Sequence, residues 1–507
     1  MKQIPRSLRN VASNWAGTLV SMLVAFFLSP FVVHHLGATA YGVWVMIMSL
    51  TGSLSLLDLG VRGAVTRYIA NFHALGKHDE ASRLASSALA SFTVAGAVAI
   101  GASVTAALIA LRRFHAPQNH LEVLLILAGA SVATTLISSV FGAIVVGLQR
   151  FELSNGIEIT AAIAKAGVIL FALGHGKGLV ALATIQLAFS CFTTVAYAWT
   201  SWRLYPQLNV RYMLSDKASA HLIFSFGGYA FLLSASSYLV FYTDYLVVGA
   251  FLPAAMVTFF AIAGNLVTYS RAVSSGIAFT MSPLASSLEA KGSRRKLERI
   301  ALSGPRYATM VILPIVVTFM LRGRTFIGLW MGSAYAVRSG SILRILSVAL
   351  FFSAANQVTT EMMLGINRHR PVALVCVAEG ILNLAMSIGL VQMIGIVGVA
   401  WGTSIPRLAI SLAFWPLYMR RVFGIRFSQY VSSTWIRPAV AAVPFALISF
   451  IIDRMWYTPT LLCFFFQVAL VLPVAASGFW FVCLSQTDRR SWLAQISSSK
   501  VQVGEAA

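Results

Sequence analysis

The chain has 507 residues, of which 58% are hydrophobic and only 10% charged, and its mean hydropathy is +0.81. This composition excludes an ordinary water-soluble domain and is typical of a polytopic membrane protein. A formal net charge of +22 would also suit a nucleic-acid partner. However, most Lys and Arg residues fall in segments that share the side of the N-terminus, which is the positive-inside pattern. We therefore expect cytoplasmic termini, contact with anionic lipids and no nucleic-acid partner.

Apolar stretches of roughly 18 to 28 residues recur along the chain, each long enough to cross about 30 Å of hydrocarbon as a helix. The strict alternation of an outer-membrane barrel is absent, so the predicted fold is all-α. The first run continues past the length of a signal-peptide core, so we expect it to be retained as a span. The thirteenth span is the weakest, because it is short and contains Pro444. About 14 spans are predicted: 13–35, 41–65, 84–111, 121–148, 156–173, 178–200, 222–248, 253–281, 306–322, 339–364, 371–394, 396–419, 437–452 and 460–484.

The chain also repeats itself. A shift of 216 residues brings ALGKHDEASRLASS (74–87) onto AKGSRRKLERIALS (290–303) and matches Gly76 with Gly292. Six spans separate the two linkers, which predicts a parallel pseudo-repeat of two six-helix lobes; chance similarity of two amphipathic linkers is the alternative. The predicted domains are an N-terminal lobe (1–200), a cytoplasmic linker (201–221), a C-terminal lobe (222–419), two additional helices (420–484) and a cytoplasmic tail (485–507).

Charged residues inside the spans are the candidate functional residues, because each ionised group at the bilayer centre costs roughly 2.5–3.5 kcal/mol. Lys165, Glu379 and Arg407 fall about midway along their spans, where neither snorkelling nor headgroups can easily help, so we expect them to face a watery cavity or one another. Arg271 lies deeper than the ends of its span, whereas Asp244 is nearer an interface and can snorkel. The others in or at the ends of spans are Asp58, Arg62, Glu158, Arg344 and Glu361.

Asp58 and Arg62 stand one helical turn apart in the segment LLDLGVRGAVTRY (56–68). If the helix is continuous there, the two side chains share a face and can pair, which lowers the cost of burying either charge. Such a pair at the end of the second span predicts either a gate or a helix-end clamp.

No catalytic or cofactor motif is present. The sequence contains no nucleotide-binding G-x-x-x-x-G-K-[ST], and GHGKG (174–178) lacks both the first glycine and the hydroxyl residue. The four cysteines lie in or beside apolar spans with no short mutual spacing, which favours packing over disulfides or metal binding. We therefore expect a protein that is not an enzyme, with no catalytic residues, no bound metal and no cofactor.

The N-terminal stretch SNWAGTLVSMLVAFFLSPFVVHHLGATAYGVWVMIMSLTGSLSLLDLGVRGAVTRYIA resembles the opening of the polysaccharide transporter (Wzx-type O-antigen flippase) branch of the MATE/MOP flippase superfamily. The resemblance rests on an Asn in span one, on LG-x-x-x-YG-x-W between the first two spans, and on LLDLG followed by basic residues and RY. These residues are Asn14, Leu36, Gly37, Tyr41, Gly42, Trp44, Asp58, Leu59, Gly60, Arg62, Arg67 and Tyr68.

The resemblance implies a flippase that moves a polyprenyl-diphosphate-linked oligosaccharide across the bacterial inner membrane during synthesis of O-antigen, capsule or exopolysaccharide. It also implies membrane lipids as neighbours and a polysaccharide polymerase and chain-length machinery as partners. Lys165, Arg271 and Arg407 are the predicted cavity cations for this substrate. Asp58, Arg62, Asp244 and Glu379 are candidates for ion coupling or gating. The alternatives are an ion-coupled multidrug or metabolite exporter of the same superfamily and a polytopic glycosyltransferase or polymerase.

Overall fold

The computed structural model describes residues 6–113 and 120–484, together with residues 486 and 489. All regular elements in this part of the chain are helices, so the prediction of an all-α fold is confirmed. Residues 1–261 contain α1 (Arg6–Leu54), α2 (Val61–Ala74), α3 (His78–Arg113), α4 (Leu121–Gly147), α5 (Phe151–Gly174), α6 (Leu179–Leu204), α7 (Lys217–Phe241), α8 (Thr243–Phe251) and the start of α9 (Ala254–Ala290).

The remaining helices follow with short connections. They are α10 (Arg294–Met331), α11 (Ser333–Gly365), α12 (His369–Ile394), α13 (Ile396–Phe423), α14 (Phe427–Val431), α15 (Arg437–Ala441), α16 (Val443–Met455) and α17 (Leu461–Val482). Short 3-10 turns lie at Ser55–Asp58 and Tyr212–Leu214, and a π-helical turn at Ser432–Ile436 joins α14 to α15.

Thirteen helical segments in the described residues are long and apolar enough to cross a membrane. The first, Trp15–Asp58, has 44 residues and covers most of the two predicted spans 13–35 and 41–65, so the expectation of about 14 spans is confirmed. Gly37 separates these two spans inside α1, because its φ of 77° and ψ of 165° are not helical. Glycine adopts a positive φ without a steric penalty, and the chain therefore turns there.

The weakest predicted span is longer than the sequence suggested. Its helical segment runs over Phe427–Met455 rather than 437–452 and includes the π-helical turn. Pro444 lies in the first turn of α16. The N–H of a residue in the first turn has no intrahelical acceptor. A proline there therefore costs no hydrogen bond and does not shorten the span.

The two linkers matched by the sequence repeat have the same backbone structure. Gly76 and Gly292 both have a positive φ, of 69° and 60°. In the first linker the N–H of Gly76 donates to the His73 carbonyl at 3.2 Å, and in the second the N–H of Gly292 donates to the Glu289 carbonyl at 2.9 Å. The neighbouring hydrogen bonds recur at the same shift, so the repeat extends from sequence to local conformation.

The chain divides into two compact units. The first unit comprises Met1–Ala261 and Ala373–Val399, and the second comprises Ile262–Val372 and Ala400–Ala507. The divisions fall within α9, α12 and α13. The lobe boundaries inferred from the repeat stay a prediction.

The first unit has an apolar core contributed mainly by α2, α3, α4 and α6. The linker between α6 and α7 is held along α3 by three serine hydroxyls. Ser82, Ser86 and Ser87 each accept a hydrogen bond of 3.0 Å from a backbone N–H of this linker, those of residues 209, 211 and 216. Hydrogen bonds from the backbone of the linker therefore hold it against α3.

The second unit contains a buried polar cluster that joins α10 to α16 and α17. Arg322 is 1% exposed, and its Nε donates to Asp453 Oδ1 at 3.0 Å. The same guanidinium donates to Thr458 and Gln467, and it lies 4.6 Å from the ring centre of Phe464. The helix α10 continues beyond the predicted span 306–322 and ends at Met331, so Arg322 lies inside it.

Gly42 lies at a close approach between α1 and α9. A Cβ at this position would lie 1.9 Å from the carbonyl oxygen of Ala254. Replacing Gly42 by alanine is therefore expected to cost about 1–3 kcal/mol, because the two backbones must move apart. We expect a lower midpoint of thermal unfolding for the purified protein in detergent. Gly63→Ala is the matched control, since nothing lies within 4 Å of its added Cβ. Equal midpoints for the two variants would contradict this contact.

Candidate functional site

An open polar cavity of about 300 Å³ lies within the first unit. Its walls come from α1, α2, α4, α5 and α6, and the volume is at the lower end of the range for small-molecule sites. Three charged side chains line it, those of Arg62, Glu158 and Lys165. Many of the other lining residues carry hydroxyl groups, so the cavity is a polar site inside a largely apolar helical unit.

Two neighbouring helices position the lysine of this cavity. Glu158 and Lys165 are seven residues apart on α5, which places both on the same face of that helix. The Lys165 ammonium donates a hydrogen bond to Gln186 Oε1 on α6. One of its three protons is thereby used and the others remain available for a ligand.

The carboxylate of the cavity is oriented by a tyrosine. The Tyr197 hydroxyl donates to Glu158 Oε1 at 2.9 Å, and it lies 3.0 Å from the Ser154 hydroxyl. The tyrosine is 4% exposed, so its position is fixed by packing. These bonds join α5 to α6 and hold the carboxylate at the cavity wall.

A row of hydroxyl groups forms much of the remaining wall. Thr135 and Ser139 on α4 donate their protons to carbonyls of α4 at 2.8 and 2.9 Å. Ser190 and Thr193 on α6 donate to carbonyls of α6 at 2.9 and 3.0 Å. With its proton engaged, each oxygen still has lone pairs that accept hydrogen bonds. This wall therefore offers acceptors rather than donors.

The continuous helix that was assumed between Asp58 and Arg62 is not present. The helix is interrupted between them, where Leu59 and Gly60 both adopt the left-handed conformation. Asp58 Oδ1 accepts a hydrogen bond of 3.1 Å from the backbone N–H of Arg62. The aspartate therefore satisfies a free N–H at the start of α2, and the arginine side chain lines the cavity instead.

A second polar cluster in the first unit joins α8 to α12. Asp244 is 4% exposed, and its Oδ1 accepts a hydrogen bond of 3.2 Å from Ser387. Glu379, Asn383 and Ser387 follow one another at intervals of four residues on α12, and all are buried. Both polar atoms of the Asn383 side chain are buried and have no hydrogen-bond partner among the described residues. The candidates Asp244 and Glu379 thus lie in a buried, oxygen-rich region.

The other two predicted cavity cations belong to the second unit. Arg271 and Arg407 are half-buried on α9 and α13, and they are not among the residues that line the cavity of the first unit. The carbonyl of Arg407 accepts a hydrogen bond of 2.6 Å from Ser411, whose oxygen in turn accepts one of 2.7 Å from Asn356. Their joint action with Lys165 stays a prediction.

The family model described as "Polysaccharide biosynthesis protein" matches residues 7–289, more than half of the chain. The chain belongs to this family. Relatives of this chain include the "Putative O-antigen transporter" of Shigella flexneri, 20% identical over 82% of this chain and 98% of that protein. The "Probable flippase AglR" of Haloferax volcanii is 22% identical over 78% of this chain and 80% of its own length.

Solved structures show which fold this chain has. The lipid II flippase MurJ in an inward closed conformation aligns with a TM-score of 0.71 and 13% identity, over 93% of this chain and 98% of that chain. An inward-facing multidrug resistance MATE transporter of the MOP superfamily aligns with a TM-score of 0.65 and 17% identity, over 80% and 94%. At these identities the likeness shows the fold alone.

Three uncharged residues of these two clusters were not predicted from the sequence. Gln186 and Tyr197 hold the charged groups of the cavity, and Asn383 lies between the buried residues of α12. One signal was available for the glutamine, which is the only side-chain amide in α6. The tyrosine and asparagine lie in runs whose hydropathy gives no such signal.

Proposed function

We propose that this protein is a flippase that moves a polyprenyl-diphosphate-linked oligosaccharide from the cytoplasmic to the periplasmic leaflet of the bacterial inner membrane. The observation that supports this most is the open cavity around Lys165, which is polar and carries two bases against one acid. Family membership and the names of the relatives point the same way. We propose surface polysaccharide synthesis as the pathway and assign no enzymatic step to the protein.

Such a substrate needs a polar path because sugars and a diphosphate cannot cross hydrocarbon unaided. Its lipid tail stays in the bilayer while its headgroup passes along the protein. In our proposal the two six-helix lobes rock about a central site and expose it to each side of the membrane in turn. Lys165, Arg271 and Arg407 donate to oxygen atoms of the headgroup, and the charges of Arg271 and Arg407 offset that of the diphosphate.

We further propose that the buried cluster of α8 and α12 couples flipping to an ion gradient. Two carboxylic acids, Asp244 and Glu379, are 4% and 6% exposed there, and a bound proton or cation would offset the cost of burying their charge. Carboxylate, amide and hydroxyl oxygens suit a proton or a hard cation such as Na⁺. Asp58 is assigned instead to the start of α2, where it accepts from the backbone, and Arg62 to the cavity.

Replacing Asp244 by asparagine is expected to abolish the stimulation of flipping by a Na⁺ or proton gradient. The neutral amide keeps the shape of the side chain but removes the charge on which a cation depends. The rate is measured in liposomes with and without each gradient, and Asp216→Asn, in the linker outside the spans, is the control. If a gradient still stimulates flipping by Asp244→Asn, this cluster does not couple flipping to the gradient.

Deletion of the gene tests the proposed function in cells. We expect the lipid-linked oligosaccharide to accumulate on the cytoplasmic leaflet and surface polysaccharide to be lost, and the wild-type gene to restore both. Leaflet location is scored in intact spheroplasts with a membrane-impermeant glycosidase. Unchanged location of the lipid together with new sensitivity to cationic dyes would instead favour the multidrug exporter.

A further inference from the structure

The geometry points to the cavity of the first unit as the subsite for a sugar of the lipid-linked substrate, rather than for its diphosphate. This inference rests on the proposed function and assigns a part of the substrate to a part of the site. It follows from which hydrogen bonds the cavity can make, from its charge and from its size.

The acceptor-rich wall fits sugar hydroxyls. Four hydroxyl residues on α4 and α6 donate their protons to carbonyls of their own helices, at 2.8–3.0 Å, so in this arrangement their oxygens act as acceptors. A sugar hydroxyl has a proton to give to such an oxygen, whereas an ionised phosphate oxygen has none. A diphosphate in this place would leave the wall unsatisfied and repel its lone pairs, at a cost in affinity.

The charges of the cavity lead to the same assignment. Arg62 and Lys165 are opposed by Glu158, so the net charge of the lining side chains is small. A carboxylate in the wall repels a diphosphate, but it accepts charge-assisted hydrogen bonds from sugar hydroxyls. Gln186 accepts from the lysine and has an amide NH₂ group that can donate to a sugar oxygen. The cavity therefore offers both donors and acceptors, and the hydroxyl groups of a sugar can bond to both.

Size and shape agree with this assignment. A volume of about 300 Å³ is small for a whole lipid-linked oligosaccharide headgroup. Phe189 lines the cavity and offers an apolar surface to the carbon-bound hydrogens of a sugar ring. We therefore assign the cavity to one part of the glycan, and the remaining headgroup lies outside it.

Binding of two separate probes tests the assignment. The first is the free oligosaccharide released by mild acid from the lipid-linked pool of the host cell, and the second is farnesyl diphosphate, which carries no sugar. Both are titrated against purified protein in nanodiscs. For Glu158→Gln we expect at least about ten-fold weaker binding of the oligosaccharide, because a charge-assisted hydrogen bond is lost. Farnesyl diphosphate should bind within about two-fold of wild type.

Two further variants separate sugar contact from general damage. Thr135→Val removes one acceptor of the wall without changing any charge and should also weaken only the oligosaccharide. Glu152→Gln, in the first turn of the same helix and outside the cavity lining, is the matched control and should bind both probes like wild type. Thermal unfolding of each variant shows that it is folded.

Three results would overturn the sugar subsite: no binding of the oligosaccharide to wild type, unchanged oligosaccharide affinity in Glu158→Gln and Thr135→Val, or a change confined to farnesyl diphosphate. Flipping by wild-type protein in liposomes distinguishes this failure from failure of the proposed function. A protein that flips the substrate but shows any of these results is a flippase without this subsite.

Discussion

Replacing Lys165 by methionine is expected to slow flipping about ten- to hundred-fold, because a charged donor of the cavity contributes roughly 1.5–3 kcal/mol per hydrogen bond. Methionine fills a similar apolar volume but cannot donate. The ammonium is half-buried and bonded to Gln186, so its removal changes the cavity rather than the surface. The rate is measured with purified protein in liposomes.

Lys177→Met is the matched control for this prediction. Lys177 is exposed in the loop after α5, on the same hairpin as Lys165 but away from the cavity. We expect wild-type flipping from it and wild-type thermal unfolding from both variants. If Lys165→Met flips at the wild-type rate, the cavity is not part of the transport path.

The second large effect is expected in stability, at Arg322. Replacing Arg322 by methionine should cost about 3–5 kcal/mol, because Asp453 then loses its charged partner and Gln467 its donor in a buried cluster. Asp453 is 28% exposed in its side chain, which places the effect towards the lower value. We expect a clearly lower midpoint of thermal unfolding in detergent and earlier proteolysis at α16 and α17.

Arg324→Met and a double variant provide the comparison. Arg324 lies two residues further along α10, is exposed and donates to Ser341 at 3.2 Å, so its loss should cost less than about 1 kcal/mol. The double variant Arg322→Met with Asp453→Leu should recover part of the stability, because no unpaired charge remains. Similar midpoints for Arg322→Met and Arg324→Met would show that the cluster does not hold these helices together.

The spans could be predicted from the sequence because hydrocarbon demands long apolar helices whatever their packing. The sequence also indicated the repeat, since Gly76 and Gly292 stand where both linkers need a positive φ. The break at Leu59 and Gly60 was missed. Leu59 is a non-glycine residue in the left-handed conformation. Leucine rarely adopts this conformation, so the sequence does not indicate a helix break at this position.

The candidate site was predictable only in part. Hydropathy shows where a charged side chain is costly to bury, but it does not show which residue that side chain bonds to. Lys165 was singled out by its depth, and it does line a polar cavity. Its bond to Gln186 depends on how α5 packs against α6, which one sequence does not reveal. For the same reason the sequence did not indicate the buried cluster of Arg322 with Asp453 on α16 and Gln467 on α17.

The most direct test of the central claim uses liposomes that contain the purified protein and a fluorescent polyprenyl-diphosphate oligosaccharide. The fraction of the lipid accessible to an external, membrane-impermeant glycosidase is followed over time. We predict that wild-type protein exposes the inner-leaflet pool and that Lys165→Met exposes it about ten- to hundred-fold more slowly. No protein-dependent exposure, with several oligosaccharides and with or without Na⁺ and proton gradients, would contradict the flippase assignment.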